Sequence, residues 1–321
     1  MSVDVVLDTL QLKLKQLTET AWREKISGAD IKRWSAQFSE SATVHDNEQL
    51  QALFLLSNFI YFGQVEIREL LKSLYRDLYR TPAIHSIRRL NGDTVSWSVL
   101  EPAFKIYRQK TRFLGVGNPS ESGAHLLYYF RQENALPKSL FINSHEIFTR
   151  DTTTSAPTLK IADNDIETYV FIDDLCGSGT QASAYSRQIV EPLRALKPNV
   201  KVHYLMLFAT TDGLDAIRGL NRFDRVEAIY ELDSTFKALE PNSRIFTPID
   251  TDFDREKIRA TCKAIGTRLW AAYPLGYKDG QLLLGFTHNT PDNALPIFWM
   301  DGSAIGQTWE PIFKRYHKDY N

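Results

Sequence analysis

The amino-acid sequence predicts an α/β fold in which helices flank a mostly parallel sheet. Three observations support this prediction: the first third has the spacing of amphipathic helices, short apolar segments then alternate with helical patterns, and the most apolar segment ends in two acidic residues and a small-residue loop. Strand–helix–strand alternation favours a parallel sheet covered by helices. We therefore expect a helical cap or partner-binding region in residues 1–105 and an α/β core in residues 106–321.

The composition is typical of a globular protein, with 43% hydrophobic and 24% charged residues among 321. The net charge of −1 gives no strong sign of a nucleic-acid partner. Two cysteines far apart in sequence cannot form a disulfide framework or a zinc site. Because there is no secretory pattern and no apolar stretch of the ~20 residues that span a bilayer, we expect a cytoplasmic protein without a membrane partner.

The first third contains two runs of apolar residues spaced three and four apart, at 50–61 and 67–78. This spacing predicts two amphipathic helices, with residues 58–62 as the apolar join between them. Residues 81–82, Thr-Pro, are expected to end the second helix. A helical cap on the core is the favoured interpretation, and a separate binding module is the alternative.

The rest of the chain alternates between strand and helix patterns. The predicted strands are residues 112–116, 169–173, 201–208, 225–230 and 282–286. The predicted helices are residues 123–133, 181–196, 214–220 and 254–270. In such folds ligands bind beyond the carboxyl ends of the strands, so the loops after residues 116, 173 and 286 are candidates for a site.

Residues 149–163 form a polar stretch that is long for a connection in a compact domain. Long connections of this kind are often lids over a site or plain solvated loops. Both interpretations stay open for this segment.

The strongest chemical signal follows the strand at 169–173. Asp173 and Asp174 end this strand, and the small-residue loop 177–180 leads into a helix. Small residues let the backbone approach a phosphate, and the positive end of a helix holds the anion. The two carboxylates can accept hydrogen bonds from sugar hydroxyls, directly or through Mg²⁺. The pattern therefore favours a ligand that carries both a diol and a phosphate.

This segment resembles the phosphoribosyl-diphosphate (PRPP) signature of type I phosphoribosyltransferases (PRTases). The resemblance implies a Rossmann-like PRTase sheet, with Asp173 and Asp174 as the catalytic acids on the ribose hydroxyls and on Mg²⁺, through the ligand or water. The residues that it implies for the phosphate and ribose are Cys176, Gly177, Ser178, Gly179, Thr180 and Gln181.

A wider resemblance rests on residues 117–123, 126–130 and 288–299. These segments look like a divergent PRTase branch associated with prokaryotic conflict and anti-phage systems, including some retron effectors. This resemblance implies a toxic effector with a defence-system partner, either a protein or a nucleoprotein.

The loop 117–123 is predicted to follow a strand and open a helix, which repeats the anion-binding arrangement. By resemblance to the transferases, Ser120, Glu121, Ser122 and Gly123 are candidates for holding pyrophosphate. The alternative is an ordinary helix start, in which a serine caps the helix and Glu121 favours its dipole.

His288 and Asn289 follow the predicted strand 282–286. A polar pair at this place could contact a second substrate or the pyrophosphate. Since the same residues also suit a simple turn, the structural interpretation stays open.

Other catalytic motifs are not present in the sequence. There is no P-loop, no second histidine after His145-Glu146 for a zinc protease, no nucleophile elbow, and no glycine in the calcium-like run 250–254. Cys176 has no basic neighbour in sequence, so a structural thiol is favoured over a nucleophile.

We expect an enzyme that acts on PRPP or a related nucleotide by pentosyl transfer or hydrolysis. Two departures from the family bear on this expectation: Gly177 replaces an acid found in some members, and the loop 117–123 has no lysine or arginine. Arg112, Lys314 or Arg315 could supply the missing charge. The alternatives are a catalytically silent nucleotide sensor that binds a partner, and a housekeeping transferase of nucleotide salvage.

Overall fold

The computed structural model describes residues 2–23, 25–117, 122–151, 158–246, 253–306 and 308–315. The helices are α1 (Val3–Glu19), α2 (Gly28–Ser35), α3 (Glu48–Leu56), α4 (Gln64–Ser73), α5 (Thr81–Leu90), α6 (Trp97–Gln109), α7 (Ser122–Glu133), α8 (Thr180–Leu196), α9 (Thr211–Arg218), α10 (Arg255–Leu269) and α11 (Pro296–Trp299). The strands are β1 (Ile60–Phe62), β2 (Thr111–Gly115), β3 (Phe148–Asp151), β4 (Thr158–Ile161), β5 (Thr168–Cys176), β6 (Lys201–Thr210), β7 (Arg225–Leu232) and β8 (Leu284–Phe286).

The chain packs as two compact units. The first unit combines Met1–Ile67 with Leu232–Asn321, and the second is Arg68–Glu231. The sequence-based boundary between residues 105 and 106 falls inside α6, within the second unit. The compact units do not show which residues form a cap and which form a catalytic core. The predicted division into these two functional regions therefore stays a prediction.

The second unit is built around a four-stranded sheet with the order β2-β5-β6-β7. β5 is parallel to both β2 and β6, with Ile172 beside Gly115 on one side and Leu205 on the other. Val170, Phe171 and Ile172 of β5 are fully buried, as expected for a strand covered on both faces. The predicted α/β fold with a mostly parallel sheet and flanking helices is confirmed.

A buried histidine, His203, lies near the start of β6 and is 7% exposed. Burial, together with the charge of Arg225, lowers the pKa of its imidazole to about 4. The Nδ1 atom has no hydrogen-bond partner among the described residues. The folded protein therefore holds this side chain neutral where an unfolded chain would bind a proton.

This histidine should make stability depend on pH. The folded-state pKa is depressed, so its stabilising contribution is complete above the unfolded value of 6.5 and is lost as the pH falls towards about 4. The unfolding free energy of the wild type should therefore fall by about 3 kcal/mol between pH 6.5 and pH 4 on account of this side chain. In His203→Phe this part of the fall should be missing, which urea denaturation at several pH values measures. The exposed His85→Gln should keep the wild-type slope, and an unchanged slope in His203→Phe would contradict the assignment.

The first unit contains α1–α3, β1, α10, β8 and α11. β1 and β8 form a two-stranded parallel sheet, with Tyr61 beside Gly285. An aromatic cluster fills the core of this unit, where Phe59 stacks on Phe313 with ring centroids 4.1 Å apart. Asp254 caps α10 by accepting from the amides of Glu256 and Lys257, as its position before the helix predicts.

Two sequence predictions in this region are wrong. The segment 58–62 does join two helices, α3 and α4, but residues 60 and 61 were counted in the first helical run and instead belong to the strand β1. A run of three apolar residues is too short for its spacing to distinguish a strand from a helix. The strand 282–286 was expected in the main sheet, but β8 pairs with β1 in the first unit. Apolar strands of this length carry no signal for their partner.

The prediction that residues 81–82 end a helix is also wrong. After α4 the helix widens into a π-helical segment, Leu74–Arg80, and α5 follows directly with Pro82 in its first turn. The Thr81 amide donates to the Arg76 carbonyl, a π-type bond, so the wider turn lies directly before Pro82. A π turn at this place accommodates the proline, which lacks an amide hydrogen, without ending the helix.

The strands β3 and β4, which fall in the polar stretch 149–163 apart from Phe148, pair antiparallel, with Thr149 beside Lys160. Residues 152–157 lie outside the described part, so the choice between a lid and a solvated loop stays open. Within the part of the chain that is described, no helix is long and apolar enough to cross a membrane.

Candidate functional site

The two acids at the end of β5 have different surroundings. The Asp173 side chain is buried, and its carboxylate accepts hydrogen bonds from the Tyr204 hydroxyl at 2.7 Å and from the Asp174 amide at 2.9 Å. Asp174 is half-buried and accepts from the Leu175 amide at 2.8 Å. The two side chains also form a hydrogen bond with each other, so Asp173 and Asp174 are a contacting pair with one buried and one half-buried member. Asp174 is the more exposed of the two acids.

Burial controls the ionisation of the inner acid. Desolvation and the adjacent Asp174 charge raise the pKa of Asp173 well above its usual range. Desolvation and the charge of Asp173 likewise raise the pKa of Tyr204, so its phenol stays protonated and can donate. Tyr204 lies on β6, and it therefore fixes the orientation of a site residue on the neighbouring strand.

Tyr204→Phe should remove this support. We expect the unfolding free energy to fall by about 1–3 kcal/mol, because the buried Asp173 carboxyl would lose a donor. Urea denaturation of the purified variant measures this change. The control is Tyr75→Phe, since Tyr75 is also buried but its hydroxyl has no hydrogen bond within the described residues. Equal losses in the two variants would mean that the Tyr204 hydroxyl does not support the site.

The loop after β5 presents the amino end of α8. Gly179 precedes the helix with φ of 71°, a left-handed conformation that favours glycine, and it has no side chain of its own to cap the helix. The Ser178 hydroxyl accepts from the Thr180 amide at 3.5 Å, a long contact. The hydroxyls of Ser178 and Thr180 are 2.9 Å apart at the same end. The backbone N–H groups of the first turn, together with these two hydroxyls, can bind an anion.

The structure also reveals how this loop is held, which the sequence did not predict. Thr210, at the end of β6, donates its hydroxyl hydrogen bond to the Gly177 carbonyl and accepts from the Gly213 amide. A Cβ on Gly213 would lie 2.3 Å from the Gly177 carbonyl oxygen and 2.6 Å from that of Cys176. The start of α9 can therefore approach the loop only because residue 213 is glycine. A glycine between Asp212 and Leu214 was the available signal.

The Cys176 side chain is part of the core. It is 3% exposed, and burial raises the pKa of its thiol to about 12, with a further contribution from Asp173. A thiol with that pKa is not a nucleophile at neutral pH, as the sequence suggested. If Cys176 takes part in phosphate binding, only its backbone is available.

The candidate pyrophosphate loop starts beside the acidic pair. β2 ends at Gly115, paired with Ile172 of β5, and the Val116 amide donates to the Ile172 carbonyl at 3.2 Å. Ser120 and Glu121 lie outside the described residues, and Ser122 and Gly123 are described only as the start of the α7 backbone. The choice between a pyrophosphate site and a simple helix cap therefore stays open.

Arg112 is not beside the acidic pair, and His288 and Asn289 belong to the other unit of the chain. Arg112 lies at the opposite end of β2 from the loop, where its guanidinium bonds to the carbonyls of Gln109 and Thr111 and to Asp163. His288 and Asn289 belong to the first unit, where they follow β8. There the Asn289 carbonyl accepts from the Phe286 amide and its side chain from the Thr290 amide, as in a turn.

The acidic pair fits one kind of metal binding. Among the described residues, no group of three or more His, Cys, Asp and Glu side chains could hold a metal ion. Mg²⁺ commonly uses one or two carboxylates and takes its other ligands from water and substrate phosphates. Asp173 and Asp174 thus fit an ion that arrives with a phosphorylated ligand.

Comparison with known proteins gives one family match. The family described as PRTase-CE matches residues 31–315. No curated protein matches the chain. Similar solved structures include a xanthine-guanine-hypoxanthine phosphoribosyltransferase of Helicobacter pylori (11% identity, TM-score 0.27, covering 54% of this chain and 88% of that one) and an orotate phosphoribosyltransferase of Aeropyrum pernix (13%, 0.25, 46% and 77%). TM-scores this low do not establish a relationship.

Proposed function

Because this chain belongs to the PRTase-CE family, we propose that it binds PRPP or a related ribose phosphate with Mg²⁺ at the carboxyl end of β5. The observation that carries the proposal is that β5 presents the half-buried carboxylate of Asp174 near its end and continues through the small-residue loop 177–180 into the amino end of α8. A ribose phosphate has a diol for the first group and a phosphate for the second.

The residues of the site have separate roles in this proposal. Asp174 accepts hydrogen bonds from the ribose hydroxyls, and the loop 177–180 with Gln181 holds the 5′-phosphate through its N–H groups and hydroxyls. Asp173, fixed by Tyr204, positions Asp174 through the shared strand end. Mg²⁺, when bound with the ligand, neutralises pyrophosphate charge. Asp174, with Asp173 behind it, would hold this ion.

The chemistry proposed is transfer of the pentosyl group, with loss of pyrophosphate, to an acceptor or to water. Such a reaction depends mainly on positioning and electrostatics, so it does not require a protein nucleophile. This suits a site in which the one cysteine, Cys176, is buried and protonated.

Calorimetric titration with PRPP, with and without Mg²⁺, tests the binding step. We expect saturable binding with one site per chain that weakens when EDTA removes the metal. Product analysis by ion-exchange chromatography, with water and then candidate bases as acceptors, tests the transfer. Absence of PRPP and nucleotide binding in both metal conditions would refute the proposed function.

One observation favours a second candidate function. Gly177 stands where some PRTases carry an acid that acts as a base, and it has no side chain to replace that acid. A protein that binds the nucleotide without transferring it would act as a sensor. Binding without product formation would support this candidate over the enzyme.

We further propose that the protein acts as an effector in anti-phage defence, with a partner protein or nucleoprotein. The support is the similarity of residues 117–123 and 288–299 to a branch associated with conflict systems. Phage plating on cells that carry the complete gene neighbourhood tests this role. Equal plating efficiency with wild type and with Asp174→Asn would contradict it.

A further inference from the structure

The helix α6 has two apolar faces, and only one of them is buried. Leu100 and Phe104 belong to the core of the second unit. Val99 and Ile106 are 42% and 56% exposed, and Pro102 is exposed between them. Residues three and four apart lie on one side of a helix, so these last three form a continuous apolar strip over two turns. The site proposed at the end of β5 contributes no residue to this apolar strip.

The chain around α6 is also rich in exposed apolar groups. Among the described residues, thirteen large apolar side chains are exposed, and five of them lie between positions 90 and 106. These five are Leu90, Val95, Trp97, Val99 and Ile106. A single exposed apolar side chain is ordinary, but a cluster of them marks a surface for interaction.

The charges on α6 favour a second copy of this chain as the occupant of the apolar strip. Glu101 and Lys105 are exposed, and they lie on the opposite side of Pro102 from Val99 and Ile106. Both pairs have their midpoint along the helix close to Pro102. A two-fold axis at that point would place Val99 opposite Ile106 of the second copy, and Glu101 opposite its Lys105. This face is therefore complementary to itself when two helices run antiparallel, whereas parallel helices would bring like charges together.

We propose that the protein forms a two-fold symmetric dimer in which α6 of one copy packs antiparallel on α6 of the other. Val99, Pro102 and Ile106 form the apolar centre of the contact, and Glu101 pairs with Lys105 of the second copy at its edge. With 13 residues α6 is about 20 Å long, so one helix pair makes a small interface. We therefore expect a weak dimer, with a dissociation constant of about 10–100 µM.

Sedimentation velocity of the full chain from about 2 to about 500 µM tests the association, because this range brackets the expected constant. The average mass should rise from that of a monomer towards that of a dimer. Ile106→Lys should stay monomeric, since it places a charge inside the apolar strip of both copies. Leu196→Lys is the control, because Leu196 is 42% exposed at the end of α8 in the same unit and lies outside the strip. A monomeric wild type, or an Ile106→Lys variant that still dimerises, overturns the proposal.

Charge substitutions test the antiparallel arrangement. Glu101→Lys and Lys105→Glu should each weaken the dimer about three- to tenfold, because each turns two attractive contacts into two repulsive ones. The variant that carries both substitutions keeps the net charge and should recover the wild-type constant, since every lysine again faces a glutamate. The arrangement is refuted if both single variants dimerise as the wild type does, or if the combined variant does not recover. PRPP titration should give the wild-type result in all three variants, so this test is separate from that of the function proposed for β5.

Discussion

Asp174→Asn is expected to weaken binding of PRPP with Mg²⁺ about 10- to 100-fold, because hydrogen bonds to a charged acceptor contribute about 1.5–3 kcal/mol. The same change should not lower stability. The charge of Asp174 raises the pKa of the buried Asp173, so removing it relieves an unfavourable interaction. Calorimetric titration gives the affinity, and thermal unfolding gives the stability.

Asp215→Asn is the control for this prediction. Asp215 is an exposed aspartate of α9 in the same unit, and no proposed role depends on it. It should bind PRPP as the wild type does. If Asp174→Asn also retains wild-type affinity, then the half-exposed acid does not contact the ligand.

Gly213→Ala is expected to lower the unfolding free energy by about 1–3 kcal/mol and to abolish high-affinity PRPP binding. The added Cβ would lie 2.3 Å from the Gly177 carbonyl oxygen, which is backbone and cannot rotate away. Either α9 or the phosphate loop must move. Urea denaturation measures the first effect, and titration of the folded variant measures the second.

Gly28→Ala provides the comparison for this variant. Gly28 opens α2, and a Cβ there would meet nothing within 4 Å. Its stability should stay within about 0.5 kcal/mol of the wild type or rise slightly, because alanine favours helix. Wild-type PRPP affinity in Gly213→Ala would show that the approach of α9 does not set the loop geometry.

The sequence predicted most of the second unit because its elements have strong local signals. The apolar run at 169–173 and the small-residue loop after it predicted β5 and the start of α8, and both are confirmed. Strand alternation predicted the parallel arrangement of β2, β5 and β6. The boundaries moved by only a few residues: β5 continues to Cys176, three positions beyond its predicted end, and β6 continues to Thr210, two positions beyond.

What the sequence could not predict depends on contacts between distant residues. Nothing near Asp173 indicates that Tyr204, on another strand, turns its carboxyl inward. From the sequence, Thr210 and Gly213 look like ordinary residues at the start of a helix. Only the structure shows that both contact the Gly177 carbonyl group. That Asp173 binds ribose together with Asp174 stays a prediction, and the structure favours Asp174 for the direct contact.

The π-helical segment Leu74–Arg80 explains why a series of side chains spaced four residues apart stays on one buried face, which a regular α-helix would not allow. Tyr75, Tyr79, Ala83 and Ile87 are four residues apart and all buried. In an α-helix each such step advances about 40° around the axis, so the last member would point about 120° away from the first. A π turn rotates the chain less per residue and sets this drift back. When buried residues keep a spacing of four on both sides of a proline, the helix can thus continue through a π turn instead of ending at the proline.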